Sequence, residues 1–405
     1  MGTLSGDFVS QTRDEMTRLL SLLHMPPLRI GKHTARLPIV QGGMAVGISL
    51  SGLASAVANA GGIGVIGSAG IGMFEPDFYG NYQEACRRAL GSEIREARRK
   101  TGGVLGVNIM VALSDYAELV KVAVAEGIDI IFSGAGLPLS LPAMLDLRGK
   151  TRLVPIVSSA RAARIICKKW HDDYGYLPDA LVVEGPLAGG HLGFKAEELD
   201  WPQNRLQNLV PEVVHEVRNF EPLAGRPIPV IAAGGIFNGA DIYEFLRLGA
   251  SGVQMATRFV ATAECDAAPA FKEAYLAAGQ DDIAIIKSPV GLPGRAIKND
   301  FLDRVSRGEK KPFRCPAHCV KTCNYVESPY CIFHALVNAQ RGHLSAGFAF
   351  CGANVYRVRK MTTVKKLMRS LKKGYASTIA RELGKQLACY LNAAMAIPAF
   401  QAGSA

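Results

Sequence analysis

The chain lacks any run of about twenty uninterrupted apolar residues, the length an α-helix needs to cross a bilayer. No secretory leader is visible either: the opening stretch MGTLSGDFVSQTRDEM carries acids early and has no apolar core. Gly6 stands where an N-myristoylation pattern requires Ser or Thr. The tail LACYLNAAMAIPAFQAGSA is apolar, but it is short and Pro398 breaks it. These absences point to a cytoplasmic protein with no membrane partner. Acids are in short supply: 35 Asp and Glu face 46 Lys and Arg, a formal charge of +11. That excess suits anionic partners such as a phosphorylated cofactor, an acidic carrier protein or nucleic acid. A soluble basic enzyme without such a macromolecular partner fits it as well. Nor is the composition that of a disordered chain, with 49% hydrophobic and 20% charged residues. Its 405 residues suffice for one large α/β domain with an appendage, or for two domains.

What is present is a repeated alternation. LPIVQ (37–41), GIGVIG (62–67), GVLGVNIMV (103–111), IDIIFSG (128–134), RLVPIVS (152–158), ALVVEG (180–185), IPVIAAGG (228–235) and GVQMAT (252–257) read as buried strands. Helical patterns fall at 49–60, 79–100, 115–126, 160–169 and 239–248. Strands apolar on both faces and alternating with helices imply a parallel sheet covered on both sides. Eight of them over roughly 220 residues predict an α/β fold, a (β/α)8 TIM barrel spanning 30–265. A doubly wound sheet is the runner-up, weakened because no G-x-G-x-x-G follows the first strand. Residues 266–405 read as a C-terminal appendage packed on the barrel: a Pro- and Gly-rich loop (287–301), a cysteine-rich segment and two helical stretches near 332–341 and 364–372.

In such barrels the reactive groups lie at the C-terminal ends of the strands, and phosphate binds after strands seven and eight. Strand seven ends in Gly234 and Gly235; strand eight runs through Gln254 and Met255 into Ala256 and Thr257. Glycine-rich backbone and a helix start offer N–H donors to a phosphate dianion, and the Thr257 hydroxyl adds another. A plain tight turn is the alternative at each end taken singly. Gly42 and Met44 after strand one, and Asn108 in strand three, offer close backbone and an amide to a flat heterocycle; a buried amide satisfying nearby main chain is the other reading of Asn108. EGPLAGGHLGF (184–194) places Glu184 at the end of strand six, then Gly189, Gly190 and His191. With an ordinary pKa near 6.5, His191 suits proton transfer at neutral pH, although a turn histidine is common.

The segments PIVQGGMA, NAGGIGVIG, GVNIMV, VVEGPLAGGHLG, PVIAAGGI and GASGVQMATRF occur in that order and resemble the nitronate monooxygenase family, whose superfamily includes the FMN-dependent type II enoyl-ACP reductases. The resemblance covers about 37–262, and GRAIKN (294–299) extends it. It implies FMN as cofactor, contacted through Asn108, Glu184, Gly189, Gly235 and Gln254–Thr257, and His191 as the catalytic acid/base. It implies a flavin-dependent monooxygenase that oxidises alkyl nitronates with dioxygen; the alternative is an NAD(P)H-dependent enoyl-thioester reductase, with an acidic carrier protein as a partner in that case. A flavin-binding subunit without catalysis is a third reading. A small-molecule substrate, and no nucleic acid, is expected. The sequence departs from the family at Leu187, where an acid is frequent, at Glu184, where Gln is common, and at Ala256, where Gly is usual. Barrels like IMP dehydrogenase share the glycine corner, but SGAGLPLSLP (133–142) lacks their cysteine nucleophile.

Cysteine is not scarce, with nine in the chain, but its placement is uneven. Cys315, Cys319, Cys323 and Cys331 follow C-x3-C-x3-C-x7-C, which allows an iron–sulfur cluster, a zinc site with His318, or unligated thiols and disulfides. Cys86, Cys167, Cys265, Cys351 and Cys389 read as scattered structural residues. The run RVRKMTTVKKLMRSLKKG (357–374) is a basic amphipathic helix with Val364, Leu367, Met368 and Leu371 on one side. That side packs on its own domain in most such helices; contact with an acidic carrier or a membrane is the other reading.

Overall fold

Eight short parallel strands, β1 (Ile39–Gln41), β2 (Gly64–Gly67), β3 (Leu105–Met110), β4 (Ile130–Gly134), β5 (Arg152–Val157), β6 (Leu181–Glu184), β7 (Val230–Ala233) and β8 (Gly252–Met255), form one sheet in the order β1-β8-β7-β6-β5-β4-β3-β2. A parallel bridge between Val40 and Ile63 brings the two edges together. It is held by Gln41 N–H to Ile63 O and Ile63 N–H to Ile39 O, both at 2.9 Å. The sheet therefore closes on itself as a TIM barrel. The structure is a computed structural model that describes residues 23–395 apart from 147, 148, 312 and 316. Residues 1–22 with Gly6, and the tail with Pro398, lie outside the described residues, as does the side chain of Cys389.

The period of two along each strand sorts the side chains into two cores. Val40, Val65, Ile130, Phe132, Val154, Val182 and Ile231 point inward and fill the barrel. Ile39, Ile66, Val107, Ile131, Leu153, Val183 and Val253 point outward into the larger core beneath the helices. Strand β3 turns Gly106 toward the interior, and a Cβ there would sit 2.7 Å from the Phe132 ring, so the glycine leaves the space that this ring occupies. A hairpin (Leu28–Ile30 with His33–Ala35) adds Leu28, Ile30 and Ala35 to the inner core and plugs the mouth at the N-terminal ends of the strands.

The sequence-predicted helices are present as α1 (Ser51–Asn59), α2 (Tyr82–Lys100), α3 (Tyr116–Ala125), α4 (Ala160–Tyr174) and, after β7, a helix over Gly239–Arg247. Between β6 and β7 lies α5 (Leu206–Arg218), which the sequence reading did not contain. Its buried face, Leu206, Leu209, Val210, Val213 and Val217, has helical spacing, but Pro211 interrupts the run. We number the Gly239–Arg247 helix α6. The connection from β4 to β5 departs from the strand–helix rule, with only a short 3-10 turn at Leu141–Met144.

Past the barrel, residues 287–301 are not a loop as the composition suggested. Ile283–Lys287 (β9) and Pro293–Ile297 (β10) form an antiparallel hairpin, and β10 also pairs with the two-residue strand Gly190–His191. The Pro and Gly residues supply the turn and the strand start rather than an unstructured linker: Gly291 has φ +88° in the turn, and Pro293 opens β10. Two short helices, α7 (Thr257–Val260) and α8 (Pro269–Ala277), leave the barrel; α9 (Asp300–Ser306) is capped by Asn299, whose Oδ1 accepts the Leu302 N–H at 3.1 Å. Helix α10 (Ile332–Gln340) and the long α11 (Val364–Met395) complete the chain. The basic helix buries Val364, Leu367, Met368, Leu371 and Tyr375, so its apolar side is packed on its own protein. Its contact with α6 is close enough that a Cβ on Gly239 would lie 2.1 Å from the Tyr375 nitrogen. Among the described residues no helix is long and apolar enough to cross a membrane.

Because Phe132 is fully buried at the centre of the barrel, Phe132→Ala should lower stability by about 3–5 kcal/mol. Denaturant unfolding measures this; an unchanged midpoint would contradict the packing described.

Candidate active site

The C-terminal ends of the strands open onto a cavity of about 830 Å³. Gly42 and Met44 follow β1, Asn108 comes from β3, and Glu184 closes β6. Gly189, Gly190 and His191 belong to the following loop, Gly234 and Gly235 follow β7, and Gln254, Met255, Ala256 and Thr257 come from β8 and the start of α7. All of these line the one cavity. Backbone geometry requires several of the glycines. Gly234 and Gly235 have φ of +99° and +82°, a region that side chains disfavour. A Cβ on Gly234 would lie 2.9 Å from the Gly185 carbonyl oxygen, and one on Gly43 would lie 2.5 Å from Asn108 Cβ.

Three polar side chains reach this cavity without a protein partner. Among the described residues, the side-chain amides of Asn108 and Gln254 make no hydrogen bond, nor does the Glu184 carboxyl. Asn108 uses only its backbone carbonyl, which accepts from Ser68 N–H at 3.1 Å and Ser68 Oγ at 2.8 Å. Its amide is therefore not spent on nearby main chain. Burial alone pushes the Glu184 carboxyl up to about 7, so it is partly protonated at neutral pH and able to donate.

His191 lies in the cavity wall with Nε2 2.7 Å from Ser288 Oγ and its ring edge-on to Phe350, centroids 5.0 Å apart. Burial lowers its pKa to about 4, which keeps the imidazole neutral at physiological pH. Its position comes from the hairpin: His191 pairs with Gly294, and Leu192 N–H donates to Pro293 O at 2.9 Å. The buried Arg295 guanidinium donates to the carbonyls of Pro186 (2.6 Å) and Ala188 (2.5 Å), which fixes the loop leading to His191. Leu187, in place of the acid frequent in the family, is half exposed on the cavity wall against Gly235.

Sequence reasoning missed Ser288, Arg295 and the segment Cys351–Asn354. Gly352 N–H donates to Thr257 Oγ1 at 3.0 Å, and the Asn354 amide donates to Gly235 O at 2.5 Å, so the appendage completes the corner after strands seven and eight. Arg295 lay inside the recognised GRAIKN segment, and the GAN triplet at 352–354 is the one cue to the other contact.

The metal expectation concerns Cys315, Cys319, Cys323 and Cys331, whose thiols lie near one another: the other three act electrostatically on Cys319. All eight described cysteines are free thiols, and among the described residues no three Cys, His, Asp or Glu side chains form a metal-ligand set. Burial, with the neighbouring thiols second, pushes Cys319 well above its ordinary value, and burial raises Cys323 and Cys331. The segment is held through its backbone. Val320 bridges Leu113, Ser114 N–H donates to Cys319 O, and Lys321 N–H donates to Ala112 O, which sets Val320 and Thr322 into the cavity wall.

A closed parallel barrel with a glycine-built corner, free amides and a neutral histidine at its C-terminal mouth is the arrangement of an α/β-barrel oxidoreductase. The sequence model of the nitronate monooxygenase family matches residues 27–374, and the chain belongs to that family. A dehydrogenase of Mycobacterium tuberculosis named for a 5-hydroxy-7a-methyl-1-oxo-octahydro-indene-4-carboxyl-CoA is 30% identical over 273 residues, 67% of this chain and 66% of that relative's own length. A probable nitronate monooxygenase of Staphylococcus aureus is 28% identical over 308 residues, 67% of this chain and 78% of its own. Among solved structures, FabK from Thermotoga maritima superposes with a TM-score of 0.68 at 28% identity, covering 92% of this chain and 98% of that one. Nitroalkane oxidase from Streptomyces ansochromogenes shares the fold with a TM-score of 0.66 at 23% identity, covering 86% and 98%.

Burial gives His191 and Glu184 opposite pH linkages. Between about pH 6.5 and 4 the unfolded chain takes up a proton that folded His191 refuses, so stability falls on acidification. Between about pH 4.5 and 7 folded Glu184 keeps a proton that the unfolded chain has lost, so stability falls as pH rises. Glu184→Gln should therefore lose stability more steeply on acidification from about pH 6.5 to 4, and His191→Gln on raising pH from about 4.5 to 7. Unfolding curves across this range check both signs.

Proposed function

We propose that this protein binds FMN in the cavity and acts as a nitronate monooxygenase, oxidising alkyl nitronates or the nitroalkanes from which they form, with dioxygen as electron acceptor. The observation that carries the reading is the neutral imidazole of His191 held on the cavity wall by Ser288. A neutral ring is a proton acceptor, as removal of an acidic C–H requires. In the tautomer in which Nε2–H donates to Ser288 Oγ, Nδ1 is left to take the α-proton. The free thiols suit a cytoplasmic setting.

FMN, when bound, supplies two-electron acceptance and passes the electrons to dioxygen. Gly234, Gly235, Ala256 and Thr257 would hold its phosphate through backbone N–H groups and the Thr257 hydroxyl. Asn108, Gln254 and the protonated Glu184 would bond its polar edges, with Gly42, Met44, Gly189 and Gly190 as close backbone contacts. The apolar remainder of the lining, including Met110, Leu336 and Phe333, excludes water from the proton transfer.

An NAD(P)H-dependent enoyl-thioester reductase is the second reading, favoured by a cavity of about 830 Å³, near the upper end for small-molecule sites. The CoA ester named for the mycobacterial relative points the same way. In that direction His191 must deliver a proton, which its burial disfavours. Oxygen uptake with a nitronate and no nicotinamide identifies the first activity; NAD(P)H oxidation dependent on an enoyl thioester identifies the second.

His191→Ala should keep its flavin and lose about 10²–10⁴-fold in turnover of neutral nitroalkanes, with a smaller loss on preformed nitronates. Unchanged rates would remove His191 from the chemistry. Thr257→Glu should purify without flavin absorbance, because a carboxylate would face the phosphate; normal flavin content would rule out this corner.

A further inference from the structure

Beside the active-site cavity lies a second hollow of about 820 Å³, and Phe237 belongs to the walls of both. Arg258, Arg357, Arg359, Lys360 and Lys366 line the hollow, and no acidic residue does. None of these cations pairs with a carboxylate among the described residues, although the surface elsewhere is rich in such pairs, such as Arg88 with Asp77 and Arg164 with Glu216. Two carboxylates close by in the chain are already engaged with backbone. Asp241 accepts the N–H groups of Phe237 (2.7 Å) and Asn238 (3.1 Å), and Glu264 accepts that of Val364 (3.0 Å).

The two arginines nearest the shared wall are built in rather than free in solvent. Their guanidinium carbons lie 4.3 Å (Arg258) and 4.2 Å (Arg357) from the centre of the Phe237 ring. Arg258 also donates to the Phe237 carbonyl at 2.8 Å. Stacking uses the flat faces of the guanidinium groups and leaves N–H edges for an oxyanion. Burial and, second, the charge of Arg357 hold Arg258 below its ordinary pKa, the mark of a like-charged pair without a counter-ion. Thr363 and Ser370 add neutral donors to the same wall.

We propose that this hollow binds the diphosphate of a nucleotide, the chemistry shared by coenzyme A esters and NAD(P)H. A molecule held there by its phosphates reaches over Phe237 into the active-site cavity with its reactive end. Neither an alkyl nitronate nor FMN requires these cations, so the inference goes beyond the activity proposed above and stands independently of it. The volume lies within the range of small-molecule sites, and five cations without a carboxylate partner among the described residues share this one concavity.

The test uses the full-length, flavin-loaded protein and calorimetric titration with coenzyme A, NADPH and inorganic pyrophosphate at two salt concentrations. The wild type should bind at least one nucleotide, with pyrophosphate competing and affinity falling as salt rises. The double variant Arg359→Glu/Lys366→Glu, and separately the charge-neutral Arg357→Gln, should weaken that binding at least tenfold with flavin absorbance and melting temperature unchanged. The tighter of the two nucleotides identifies whether the site serves a thioester substrate or a reductant. The proposal is overturned if the wild type binds none of the probes, if both variants bind as the wild type does, or if the variants lose their flavin, since the cations would then belong to the cofactor corner.

Discussion

Arg295 reaches from the central strand of the outer hairpin to the carbonyls of Pro186 and Ala188, and this pair of bonds ties the chain beyond the barrel to the loop that carries His191. A buried guanidinium without a carboxylate is costly unless its donors are used, and here backbone oxygens use them. The strand pairing of Gly294 with His191 and the Ser288 contact to the imidazole follow from the same docking. The histidine is thus oriented by elements more than ninety residues away in sequence, while the barrel supplies the strand end from which its loop departs.

The cavity behaves as a set of opposed electrostatic environments. Burial with no countercharge keeps His191 neutral and Glu184 partly protonated at neutral pH. The unpaired amides of Asn108 and Gln254 add direction without charge. The hollow on the far side of Phe237 is the reverse, dense in positive charge and without acids. One aromatic ring separates the two regimes.

The legibility of this architecture in the sequence followed the physics of its parts. Strands such as LVPIV and LVVE bury both faces, so continuous apolar runs marked them without reference to their neighbours. The glycines after β7 were legible because positive φ and backbone contact leave a compositional trace at the residue itself. Helix α5 was not, since Pro211 breaks the pattern that its buried face would otherwise show. Ser288, Arg295 and Gly352 act through tertiary return of a distant segment, so the GRAIKN and GAN cues beside them did not disclose which groups they meet. The cysteine-rich segment is the converse case. Its cysteine spacing is conspicuous along the chain, but the backbone bridge between Val320 and Leu113 decides where that segment lies.

The hydrogen bond from Gly352 to Thr257 joins a glycine of the appendage to the barrel's last strand end, where the cofactor's anionic tail is proposed to lie. The pocket is therefore unfinished when a ribosome has completed only the eight strands. A polypeptide stopped there lacks one wall of the pocket, so the proposed coenzyme would meet its complete seat only in the finished molecule.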